Sequence, residues 1–212
     1  MLEIEKRSLI SEKKYLELKR LFQKEGKLTK HFKRYTIIGV QRSDFVPDEK
    51  VEKDLRIRTN GEEALLTLKS GSWHSGEARK EYEIHFDLSE IKDAMGILTE
   101  LGSPYCVSVY IERYEYLYQN YTVSLDKYFF NNDYIIEFEK LIKSTTTTTD
   151  IIKEESKIVA VMKKLDLELI DSKEMINLIN KLNFIKKAQH DFTKSSIEEW
   201  YKDWEDYIYC RI

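Results

Sequence analysis

Apolar and polar residues alternate along eight stretches of the chain, and a period of two is the signature of a β-strand with one covered face. These stretches are residues 2–8, 33–40, 54–59, 64–70, 79–86, 107–118, 122–128 and 133–141. Asn60-Gly61 predicts a tight hairpin turn between the third and fourth strands. Gln119-Asn120-Tyr121 and Asn131-Asn132-Asp133 predict turns built on asparagine. Residues 41–53, with Pro47 and several acids, and the stretch SGSWHSGEA (70–78) read as loops.

Elsewhere the period changes to that of a helix. Ser11 is placed to cap a helix over 11–25 with Leu16, Leu18, Leu21 and Phe22 as its apolar stripe, and Gly26 ends it. Asp87, three residues before Glu90, opens a helix whose stripe is Ile91, Ala94, Met95, Leu98 and Leu101. Three C-terminal helices are expected over 151–165, 172–182 and 195–209. Ser196 and Glu199 form a capping box for the last, and Ile197, Trp200, Trp204 and Ile208 follow one stripe. The run Ser144–Thr149 is low complexity and reads as a surface loop.

Short turns between mostly antiparallel strands, with helices inserted, predict an α+β fold. Closing eight such strands into an antiparallel β-barrel removes their edges, with the helices packed outside. A length of 212 residues fits one domain, with residues 1–142 carrying the strands and 150–212 the helices. A monomer or homodimer is expected.

Charge narrows the partners. Asp and Glu slightly outnumber Lys and Arg, for a net charge of −3, which argues against a broad nucleic-acid surface. Cys106 and Cys210 lack metal-ligand spacing and read as reduced thiols of a cytoplasmic protein. Nothing resembles a signal peptide, and no apolar run is long enough to span a membrane.

The charges are arranged by face. Glu3, Glu5 and Arg7 are two apart, as are Arg56 and Arg58, Thr67 and Lys69, Arg79, Glu81 and Glu83, and Glu137 and Glu139. Arg113 sits mid-strand and Asp126 near a strand end. Aliphatic residues interleave: Leu2 and Ile4, Leu55 and Ile57, Leu66 and Leu68, Ile136 and Phe138. If the aliphatic faces pack on helices, the charged faces point into the barrel. Unpaired charges there would cost several kcal/mol each. A polyphosphate with divalent cations satisfies both signs: guanidinium and ammonium groups take phosphate oxygens, and carboxylates take Mg²⁺ or Mn²⁺. With no Gly-rich phosphate loop, side chains must do the binding.

In these residues the chain resembles the CYTH superfamily, the triphosphate tunnel metalloenzymes. Glu3-Ile4-Glu5-Lys6-Arg7 matches the opening ExExK except for arginine at the last position. Arg56 and Arg58, Thr67-Leu68-Lys69, Arg79/Glu81/Glu83, Arg113, Leu125-Asp126 and Glu137-Phe138-Glu139 follow in the family's order. Ile111 stands where a second basic residue often precedes Arg113. The resemblance implies a tunnel in which Glu3, Glu5, Glu137 and Glu139 face metal. Arg7, Arg56, Arg58, Lys69, Arg79 and Arg113 would bind phosphate. Glu81 or Glu83 would bind a second metal or orient water, and Asp126 would join the metal shell or position a basic residue. Arg7 counts with Glu81 and Glu83 as a catalytic candidate.

The expected activity is a Mg²⁺- or Mn²⁺-dependent triphosphatase acting on inorganic or organic triphosphate. The alternatives are an adenylate cyclase, an RNA 5′-triphosphatase, or a polyphosphate binder without turnover. His31, His74, His85 and His190 show no mutual metal spacing, and Trp200 and Trp204 read as core anchors.

Overall fold

A computed structural model describes residues 2–45, 53–70, 80–143 and 146–212. Arg79, the 71–78 loop with His74, and the side chain of Glu3 lie outside the described residues. Among the described residues nine strands are present: β1 (Leu2–Ile10), β2 (Lys27–Val40), β3 (Lys53–Thr59), β4 (Ala64–Ser70), β5 (Lys80–Phe86), β6 (Tyr105–Tyr118), β7 (Tyr121–Tyr128), β8 (Tyr134–Ile142) and β9 (Gln189–Asp191). The helices are α1 (Glu12–Glu25), α2 (Ile91–Glu100), α3 (Thr148–Lys164), α4 (Ser172–Asn183) and α5 (Ile197–Ile208).

The strands are hydrogen-bonded in the order β1-β8-β7-β6-β2-β3-β4-β5, with β9 on β6. The described pairings are antiparallel. The fold is therefore α+β, as the alternation predicts. Among the described residues no pairing joins β1 to β5, so this sheet has two ends and is not the closed barrel expected from sequence.

Contacts divide the chain into two units. The first holds Met1–Phe32, Glu112–Tyr128 and Asn132–Met175; the second holds Lys33–Ile111, Phe129–Asn131 and Ile176–Ile212. In the first unit, Tyr15, Leu18 and Phe22 of α1 and Ile158 and Met162 of α3 bury themselves on one face of the sheet. That face is built from Ile4, Tyr116, Tyr118, Val123, Leu125, Ile136 and Phe138. Because side chains alternate along a strand, Glu5, Arg7, Arg113, Asp126, Glu137 and Glu139 point the other way.

The α1 stripe is therefore Tyr15-Leu18-Phe22, and Leu16 is 45% exposed. Ser11 caps this helix as expected, accepting from the Lys14 amide at 3.2 Å. Helix α3 begins three residues earlier than its apolar period suggests. The side chain of Thr147 accepts from the Asp150 amide at 3.2 Å and caps it, so Thr148 and Thr149 of the expected loop are helical, Thr146 and Thr147 are not, and residues 144–145 lie outside the described residues.

In the second unit, Ile91, Ala94, Met95 and Leu98 of α2 and Trp200 and Ile208 of α5 cover Tyr35, Ile37, Ile57, Ala64, Cys106 and Tyr110. The hairpin between β3 and β4 turns at Gly61, whose φ of +90° suits glycine. A Cβ there would also stand 2.6 Å from the Tyr209 carbonyl, so the close passage of the chain after α5 requires glycine as well. Strand β9, too short to show a period, is fixed by a buried polar chain. The Tyr35 hydroxyl lies 2.6 Å from Ser108 Oγ, which lies 2.6 Å from His190 Nε2.

Burial lowers the pKa of His190 to about 4. A group so depressed binds its proton first in the unfolded chain, so stability falls as pH drops from about 6.5 towards 4. His190→Gln should remove a component of up to about 3 kcal/mol from the pH dependence in that window. Urea midpoints at pH 7 and pH 4.5 would test this. A wild-type difference that the variant reproduces in full would contradict it.

Candidate functional site

The two units carry separate groups of charge, each on the face opposite its helices. In the first unit the register of β1 and β8 places Glu5 opposite Glu139 and Arg7 opposite Glu137. On β7, Ser124 faces Glu137 and Thr122 faces Glu139. Two directly opposed carboxylates repel, so a cation belongs beside Glu5 and Glu139. Arg7 supplies one, pairing with Glu5 through Nη2 and donating from Nε to Glu137 Oε1 at 2.6 Å.

Arg113 grips the other side. Its Nη2 donates to the second Glu137 oxygen at 2.7 Å, and its Nε to Asp126 Oδ1 at 2.7 Å. The second oxygen of Asp126 also accepts from Arg113. These side chains are shielded: Asp126 is 0% exposed, Arg113 12% and Glu137 14%. Arg7 is the open member, at 31%.

Burial would favour a neutral Glu137, but Arg7 and Arg113 outweigh it and hold the carboxyl well below the usual range. Burial likewise opposes the charge on Arg7, and Glu5 and Glu137 restore it. Tyr128 is pushed the other way, first by burial and then by Asp126 and Glu137, so its phenol stays protonated beside the network.

The second unit assembles the expected basic residues of β3 and β4 with the acids of β5. Arg58 stands 3.5 Å from Glu81 and 3.9 Å from Glu83, and Lys69 stands 3.3 Å from Glu81. Arg56 is held by Asp54, with Nε donating to Oδ1 at 2.8 Å. Arg58 and Lys69 are 15% and 18% exposed, so they too are partly shielded cations.

Two participants were not singled out in sequence. Asp54 shares a face with Arg56 in the run DLRIRT, and Tyr128 shares one with Asp126 in LDKY. The same two-residue spacing that marks the arginines and glutamates would have found both.

The carboxylates offer hard oxygen donors, which fit a divalent cation such as Mg²⁺ or Mn²⁺. Glu5 and Glu139, directly opposed in the register, could hold one, since a cation would relieve their opposition. Among the described residues no group of three or more such side chains forms a ready metal cage. Arg7 instead lies against two of the acids, and Asp126 has both oxygens on Arg113.

The CYTH domain model matches residues 1–171, and the chain belongs to that family. No curated protein matches. Among solved structures, a Pyrococcus horikoshii protein is 20% identical with a TM-score of 0.64, over 84% of this chain and 98% of its own. An adenylyl cyclase candidate from Hippeastrum, described as having a dominant triphosphatase activity, is 20% identical with a TM-score of 0.53, over 79% and 89%. An adenylate cyclase candidate from Vibrio parahaemolyticus is 14% identical with a TM-score of 0.56, over 79% and 90%. At these identities the likeness is one of fold. No helix among the described residues is long and apolar enough to cross a membrane.

Glu137 is the test of the first network. Because folding depresses its pKa, its ionised form adds stability that is complete above the unfolded value of about 4.3 and is lost as pH falls below it. Glu137→Gln removes the acceptor shared by Arg113, which is shielded, and the more open Arg7, and should destabilise by about 3 kcal/mol at pH 7. That penalty should shrink below pH 4. Equal urea midpoints for the variant and wild type at pH 7 would contradict the network's role.

Proposed function

We propose that this chain is a metal-dependent triphosphatase, with inorganic triphosphate as the default substrate because it needs no base pocket. The observation that carries the reading is the shielded charged face of the first unit. There opposed carboxylates and guanidinium groups stand in the order of the CYTH motifs. A face so rich in both signs suits a ligand that carries both, and a polyphosphate with Mg²⁺ or Mn²⁺ is such a ligand. The triphosphatase activity described for the Hippeastrum relative supports the same reading.

In this reading Arg56, Arg58 and Lys69 take phosphate oxygens, joined by Arg7, Arg113 and Arg79. Arg113, fixed on Asp126 and Glu137, presents a guanidinium whose position does not depend on substrate. Glu81, placed by Arg58 and Lys69, or Glu83 orients the attacking water. Glu5, Glu139, Glu3 and Glu137 hold the cation, and Asp126 acts by positioning Arg113. A bound divalent ion would neutralise phosphate charge and favour attack at phosphorus. The protonated hydroxyl of Tyr128 can donate to an anion and cannot act as a base at neutral pH. The setting proposed is the cytoplasm, where the thiols of Cys106 and Cys210 stay reduced.

Adenylate cyclase is the second reading, favoured by the descriptions of the Vibrio and Hippeastrum relatives. There the ribose 3′-hydroxyl, rather than water, would attack the α-phosphorus of ATP and release pyrophosphate.

The test is a panel of inorganic triphosphate, ATP, thiamine triphosphate and 5′-triphosphorylated RNA, each with Mg²⁺ or Mn²⁺. Free phosphate and cyclic AMP are both measured. Phosphate should appear only with metal. Glu5→Gln and Glu139→Gln should each lower turnover by about a hundredfold or more, the equivalent of about 2.7 kcal/mol of barrier. Full activity in both variants would overturn the metal assignment, and cyclic AMP as the main product would favour the cyclase. Tight metal-free binding of inorganic triphosphate with no release would favour a binder.

A further inference from the structure

Arg7 and Arg113 touch the same carboxylate but are held differently. Arg113 donates to both oxygens of a fully buried Asp126 as well as to Glu137, and is 12% exposed. Among the described residues Arg7 has no comparable anchor: its ion-pair partners are Glu5, 23% exposed, and Glu137, and it is itself 31% exposed. Its fork spans two acids two residues apart in register terms, since Glu5 faces Glu139 and Arg7 faces Glu137. The ammonium of a lysine, a single point of charge, would not match that fork.

From this contrast we infer that Arg7 is a shared ligand, exchanged between the carboxylates and the phosphate chain. The inference rests on the triphosphatase reading and deepens it. A divalent cation approaching Glu5 and Glu137 meets the guanidinium already there and must displace it. A triphosphate offers that guanidinium denser negative charge and draws it off the acids. Each ligand therefore opens the place of the other, and metal and triphosphate bind with positive coupling.

Two measurements on the full chain test this. First, Mn²⁺ binding without phosphate is followed by paramagnetic resonance of the free ion. Arg7→Met and Arg7→Lys should both tighten Mn²⁺ by about tenfold. Lys6→Met removes one charge from the opposite face of β1, where Lys6 meets Glu155 of α3 at 3.2 Å, and should leave Mn²⁺ affinity unchanged. Arg7→Lys keeps a cation beside Glu137, so it serves if Arg7→Met fails to fold. Second, calorimetry of inorganic triphosphate in metal-free buffer gives a double-mutant cycle. Glu5→Gln should tighten binding several-fold, and most of that gain should vanish in the Arg7→Met background.

Unchanged Mn²⁺ affinity in Arg7→Lys, or a Glu5→Gln gain that persists without Arg7, would overturn the exchange while leaving the triphosphatase reading standing. Absence of phosphate release from every triphosphate would tell against that reading and leave the binding cycle to judge the exchange. Absence of both Mn²⁺ and triphosphate binding would overturn both.

Discussion

Glu137 is the constraint on which the first unit turns. A carboxylate 14% exposed stays ionised only if positive charge meets it closely, and here two guanidinium groups do so, one on each oxygen. Each has its own second acid: Arg113 reaches Asp126 and Arg7 reaches Glu5. Strands β1, β6, β7 and β8 are thus tied on one face by charge, while the other face is tied by apolar packing to α1 and α3. A substitution on the charged face leaves a buried ion without its partner. A substitution on the apolar face leaves a cavity. The two faces fail for different physical reasons.

The second unit repeats the logic with its own set of charges. Its apolar face is closed by α2 and α5, and its opposite face carries Arg56, Arg58, Lys69 and the acids that hold them. Arg56 is held closely by Asp54, and the other two cations stand farther from their acids. Contacts of Arg58 and Lys69 with Glu81 run from 3.3 to 3.5 Å, whereas Arg7 and Arg113 meet Glu137 at 2.6 to 2.7 Å. Tightly held cations fix the strands, and Arg113 on Asp126 is the firmest case.

Much of this was legible in the sequence because a β-strand sends alternate residues to opposite faces. That rule alone sorted Glu5 and Arg7 from Ile4, and Glu137 and Glu139 from Ile136 and Phe138, before any contact was known. Capping signals placed the caps at Ser11 and Ser196, and the Asn-Gly pair placed the turn at Asn60-Gly61, whereas the apolar period of a helix was a weaker guide. It placed the stripe of α1 one position off, because Tyr15 buries its ring while Leu16 does not. It passed over β9, which is only three residues long and is set by hydrogen bonds to β6 and by His190 rather than by a pattern of its own.

What the sequence by itself determined is the α+β class, eight of the strands, the two-faced character of each and the family to which the charged motifs point. What only the tertiary structure decided is which charge meets which. Glu137 serves two arginines, Asp126 is spent on Arg113, Arg56 leans on Asp54, and Arg7 faces two acids at once. Alternation gives each side chain a face, but the partner on that face comes from the register between strands far apart in the chain. Arg7 and Glu137 are separated by 130 residues and meet only because β1 and β8 pair in one register rather than the next.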